Sequence, residues 1–109
     1  MNTSARHPVG VQPAEERIHN FDEVSQGFDH ATMLEEADRC LHCAAAPCRK
    51  GCPVGVNIPA FIARLKEDDL DGAVREISLD TLLPAICGRV CPQEKQCEAL
   101  CVRKAKLGG

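Results

Sequence analysis

Eight cysteines, all confined to two short arrays, constrain this chain more than any other feature. The first array, Cys40-x2-Cys43-x4-Cys48-x3-Cys52-Pro53, is followed after 34 residues by Cys87-x3-Cys91-Pro92-x4-Cys97-x3-Cys101. The rest of the 109 residues offers little to build an interior from: no Trp, no Tyr and three Phe. A core this poor in large side chains is small, and small domains need a staple such as disulfides or a metal. The thiols are the only candidates for that staple.

Charge and composition narrow the setting. The net charge of −3 comes with no basic stripe interleaved with aromatics, so no nucleic-acid partner is expected. No apolar run approaches a membrane span, so no membrane partner is expected either. The polar N-terminus has no apolar leader segment, which points to a reducing cytoplasmic setting. There, cysteine clusters bind metal or carry redox chemistry more often than they form disulfides.

The pattern along the chain predicts an all-α domain. Residues 1–16 lack periodicity and read as a mobile N-terminal arm. Ile18, Phe21, Val24 and Phe28 suit a short helical or irregular segment that docks its apolar side on the domain. Thr32 and Glu35 have the form of a capping box opening a helix that ends near Cys40. Pro47, Gly51 and Pro53 predict an irregular ligand-bearing loop from Ala44 to Pro53. Asn57 is placed to cap a helix through Ile58, Phe61, Ile62 and Leu65, and a third helix is predicted over about 71–79. Pro84 opens a short helix carrying Cys87 and Cys91, and a last helix is predicted from Gln93 to about Lys104. Residues 17–105 are thus expected to form one domain.

Three chemistries suit eight thiols. Disulfides conflict with a reducing compartment. Two structural zinc sites, which would make the chain a subunit-interaction module, prefer close cysteine pairs, and only Cys40 and Cys43 have that spacing. A pair of [4Fe–4S] clusters matches four thiols per cluster. The two-cluster ferredoxin run is C-x2-C-x2-C-x3-C-P, with its fourth cysteine serving the other cluster. The first array differs from it only by two residues before the third cysteine. By that logic Cys40, Cys43 and Cys48 hold one cluster with Cys101, while Cys52 crosses to join Cys91 and Cys97 on the second. Cys87 fits either the fourth position of the second cluster or a free thiol packed in its short helix.

The segments Glu16–Val24, Glu36–Cys43, Gly51–Val54, Ile58–Ile62 and Leu83–Pro92, with Cys97-Glu98 and Cys101-Val102, resemble the N-terminal α-helical ferredoxin domain of the small (β) subunit of NADPH-dependent glutamate synthase. The same domain occurs in related NADPH oxidoreductases and in dihydropyrimidine dehydrogenase. The resemblance covers about residues 13–103. It implies two [4Fe–4S] clusters: Cys40, Cys43, Cys48 and Cys101 match the ligands of the first, and Cys52, Cys91 and Cys97 three ligands of the second. In the family the remaining ligand can be a non-cysteine residue further along than this chain extends. The resemblance also implies a role: electrons pass from an NADPH-reduced flavin to a large acceptor subunit. FAD and NADPH would bind in a domain or partner outside this chain, which has no G-x-G-x-x-G turn. No catalytic residue is expected within it, and its enzyme class would be that of the larger oxidoreductase.

Arg49, Lys50 and Arg89 lie beside ligands and are candidates to offset cluster charge. Gly51 and Gly88 are candidates for letting the backbone approach a cluster closely. His42, between two ligands, is expected to face away on a helix, and His7, His19 and His30 to be surface residues.

Overall fold

The structure, a computed structural model, describes residues 5–107. Residues 1–4 of the expected arm lie outside the described residues. The rest of that segment carries strand β1 (Gly10–Val11) and helix α1 (Ala14–Arg17), and β1 pairs antiparallel with β2 (Ser25–Gly27). Gly10 faces Gly27 and Val11 faces Ser25, and Gln12 N–H donates to the Val24 carbonyl at 2.9 Å. Asn20 ties the hairpin loop together, donating to Gln12 Oε1 at 3.0 Å and accepting from Asp22 N–H at 3.0 Å. This small sheet corrects the all-α expectation, which holds for the body alone. Strands of two and three residues are too short to show alternation. The apolar residues of this lobe do not dock as expected: Ile18 is 72% exposed and Phe21 fully so.

The body consists of short helices whose ends are set by local chemistry. Helix α2 (His30–Asp38) is capped by Asp29, whose carboxylate accepts from Thr32 N–H at 2.8 Å. The cap therefore lies three residues before Thr32, where the extended backbone of Asp29 puts its side chain over the first turn. The loop that follows holds two left-handed residues, His42 and Ala46. Pro47 then opens α3 (Pro47–Gly51), a short helix where an irregular loop was expected.

Helices α4 (Ile58–Lys66) and α5 (Leu70–Ser78), both expected from the sequence, pack together as a hairpin. Asn57 occupies the cap position of α4 without a side-chain cap; its N–H instead donates to Asp80 at 2.9 Å. Asp69 caps α5 through Gly72 N–H at 2.8 Å. Its carboxylate occupies the space a side chain at residue 72 would need, which explains a glycine in a first helical turn.

Helix α6 (Pro84–Val90) begins at its proline as predicted. The expected last helix is instead two 3₁₀ turns, Gln93–Lys95 and Glu98–Leu100, followed by α7 (Val102–Leu107). Gln96, at φ −114° and ψ −109°, breaks the run. Cys52 and Cys91 end α3 and α6 in extended conformations, with ψ 121° and 132°. Each precedes a proline, which disfavours helical geometry at the residue before it.

Among the described residues only Ala37, Val56 and Ala73 form a buried apolar core, and no large side chain is fully buried. Packing of α2 on α4, α4 on α5, and α3 on the 98–100 turn closes the body around its cysteines.

Candidate metal centre

All eight thiols are free and half-buried. The contact of α3 with the 98–100 turn brings the two arrays together. Gly51 makes that approach possible: a Cβ there would lie 2.5 Å from the Gln96 carbonyl oxygen and 3.1 Å from Cys97 Cα. The close approach at this glycine is to the backbone bearing Cys97. Gly88 has no protein atom within 4 Å of an added Cβ, so no neighbouring chain demands a glycine there.

The thiols influence one another in two sets. Burial pushes the Cys40 thiol up, a donor from His42 N–H opposes this, and the Cys101 and Cys43 thiols push it further. Cys48 is raised by burial, against Arg49 N–H, with Cys40 and Cys101 adding to the rise. In the other set, desolvation raises Cys91, reinforced by Cys87, Cys52 and Cys97. Burial raises Cys97, against the N–H groups of Glu98 and Cys97 itself, with Cys52 and Glu98 adding. Cys40, Cys43, Cys48 and Cys101 line one cavity, which Cys97 lines as well, and the Cys91 thiol is acted on by Cys87, Cys52 and Cys97. Cys87 Sγ also lies 4.0 Å from Thr81 Oγ1. A raised thiol gives up its proton most readily when a metal takes its place.

The first set lines a cavity of about 270 Å³, which Cys97 borders from the side of the second set. The walls are otherwise largely apolar, including Leu41, Ile58, Pro59 and Ile62. Four thiols and a void of this size suit an eight-atom iron–sulfur core. Tetrahedral zinc at 2.3 Å from each sulfur would draw thiolates to within about 3.8 Å of one another. Among the described residues, no three His, Cys, Asp or Glu side chains converge on a single-ion site. The donors ring a space, and the zinc reading finds no support.

The buried cations at the cavity are not those the sequence suggested. Arg49 donates to the Gly55 carbonyl at 2.9 Å and pairs with Asp80 at 3.7 Å. Arg89 pairs with Glu23 at 2.5 Å, and Lys50 is exposed. Arg39 and Arg103, at 7% and 4% exposure, are buried and line the first cavity. Arg103 donates to the Arg39 carbonyl at 3.3 Å, and Arg39 bonds Glu36 at 2.6 Å. Their sequence signal is the same adjacency that singled out the other three, since Arg39 precedes Cys40 and Arg103 follows Cys101 by two. Adjacency alone does not say which way a side chain turns.

His42 is exposed as expected, though in a left-handed turn after the helix rather than on it. His7 is half-buried, with Nδ1 2.8 Å from Glu36 and Nε2 3.1 Å from Glu35. Arg6 pairs with Glu98 at 2.8 Å. Through Arg6, Glu36 and Glu98, the segment before β1 reaches the rim of the cavity.

Two arrays of thiols folded around a cluster-sized void define an iron–sulfur domain. The chain belongs to the family described as dihydropyrimidine dehydrogenase domain II, 4Fe-4S cluster, which it matches over residues 17–108. It is 36% identical to the glutamate synthase [NADPH] small chain of Azospirillum brasilense, over 100% of this chain and 22% of that protein. It is 38% identical to the putative oxidoreductase UacF of Escherichia coli K12, over 87% of this chain and 15% of the relative. It is 39% identical to an NAD-dependent dihydropyrimidine dehydrogenase subunit PreT homolog of Salmonella typhi, over 76% of this chain and 20% of the relative. The chain thus spans about a fifth of the length of these relatives. Among the described residues no helix is long and apolar enough to cross a membrane.

Proposed function

We propose that this 4Fe-4S electron-transfer domain holds two [4Fe–4S] clusters and passes electrons singly between an NADPH-reduced flavin and an acceptor subunit. The observation that carries the proposal is the cavity lined by cysteines of both arrays, Cys40, Cys43, Cys48, Cys97 and Cys101, in a chain of this family. Cys40, Cys43, Cys48 and Cys101 hold the first cluster, and Cys52, Cys91 and Cys97 hold the second. The fourth donor of the second is Cys87 or a non-cysteine group beyond this chain. When bound, such a cluster supplies one-electron storage at a potential set by net charge, hydrogen bonds to sulfur and exposure.

This chain's own residues supply those influences. The N–H groups of His42, Arg49 and Glu98 point at the sulfurs of Cys40, Cys48 and Cys97 and stabilise them as thiolates. The apolar wall at Ile58 and Ile62 limits water at the first site. The extended exits at Cys52 and Cys91 direct those two sulfurs into the second set. The flavin, the NADPH site and the large acceptor subunit would lie outside this chain, which spans 22% of the Azospirillum relative, in a reducing cytoplasm. Reduction of the reconstituted chain, followed by EPR, tests the assignment. Two interacting one-electron centres are expected, and a chain that gives one centre or none overturns it.

A further inference from the structure

The two thiol sets sit in unlike electrostatic surroundings. Among the described residues the buried charged side chains are Arg39 and Arg103, and both line the cavity of the first set. That lining carries three arginines (Arg6, Arg39, Arg103) and two glutamates (Glu36, Glu98), a formal excess of one positive charge. Lys66, held by Asp38 at 3.0 Å, also acts on Cys40. Cys52, Cys87 and Cys91 do not line that cavity, and Arg89, beside Cys91 in sequence, is exposed and bound to Glu23. A four-thiolate cluster would carry about −2. A guanidinium close to it favours the reduced form, which carries one more negative charge.

We propose that Arg103, supported by Arg39, raises the reduction potential of the first cluster above that of the second, so that an electron entering the domain rests at the first. The inference relies on the two-cluster reading above. Arg103 is a positioning residue for charge: it lies two residues past Cys101, and its bond to the Arg39 carbonyl joins α7 to the peptide leading into Cys40. Removing its charge while keeping an amide donor should shift electron sharing toward the second cluster by about tenfold, which is 59 mV for one electron.

The test is an EPR-monitored redox titration of the anaerobically reconstituted wild-type chain, Arg103→Gln and Arg103→Lys, with iron counted in each. The first cluster is identified as the signal altered in Cys43→Ser. In R103Q its midpoint is expected to fall while the other stays, and R103K, which keeps the charge, is expected to restore it. Full iron in R103Q with an unchanged midpoint overturns this inference and leaves the two-cluster reading standing. Loss of the first cluster in R103Q with retention at native potential in R103K supports the need for charge. Loss in both shows a packing role and overturns it. A wild-type chain that takes up no iron overturns both readings.

Discussion

Gly51→Ala puts the junction of the two arrays under a defined strain. The new Cβ would lie 2.5 Å from the Gln96 carbonyl oxygen, and ordinary contact begins at 3.4 Å, so the backbones must separate by 0.9 Å. Both partners are main chain, so no flexible side chain can give way. Overpacking of this kind costs about 1–3 kcal/mol, and helix propensity returns at most about 1 kcal/mol. Because Gly51 precedes Cys52 and faces the segment bearing Cys97, the displacement opens the second thiol set and spares the first. Anaerobic reconstitution followed by iron counting and thermal unfolding reads both effects: a lowered midpoint and a selective weakening of one cluster. Gly88→Ala is the control. With open space around it, it should leave iron content unchanged and stabilise α6 by about 0.5–1 kcal/mol. If G51A matched G88A in stability and iron content, the contact between α3 and the 96–97 backbone would not hold the arrays together.

Other outcomes follow from single residues. Cys48→Ala should lose about half the iron, whereas Cys87→Ala should be milder, since Cys87 has packing partners in Thr81 and the Cys91 thiol; iron analysis and EPR compare them, and complete loss of one cluster in the Cys87 variant would make it a ligand. Asp69→Ala should cost about 1 kcal/mol through loss of the α5 cap, measured by denaturant unfolding. Burial raises the Glu36 carboxyl, but bonds from His7 and Arg39 outweigh this and hold it below its usual range. A carboxylate depressed in the folded state stabilises above its unfolded pKa and ceases to do so as pH falls through the folded value. Wild type should therefore lose stability relative to Glu36→Gln as the solution is acidified below the ordinary glutamate range, and parallel acid-unfolding curves would contradict this.

Much of the body was legible because its signals are local. Pro84 starts α6, and the apolar stripe from Ile58 to Leu65 gives α4. What escaped depends on contacts distant in sequence or on very short elements. The β1–β2 ladder joins Gly10 to Gly27 with no side-chain pattern to announce it. The break at Gln96 comes with no glycine or proline at that position, and helix propensity alone runs straight through it. The cap of α2 was misplaced by three residues because Asp29 and Thr32 are both good caps, and the geometry of the incoming chain selected Asp29. The buried arginines are visible in sequence only as two of several cations near ligands; their inward direction comes from the packing of α7 on the end of α2.

The central claim is that eight thiols arranged four and four hold two iron–sulfur clusters. Iron and acid-labile sulfide, determined per chain after anaerobic reconstitution together with the visible spectrum, test it most directly. About eight irons and about eight sulfides are expected, with broad absorbance that bleaches on reduction. A colourless protein carrying two zinc ions and no sulfide would contradict it.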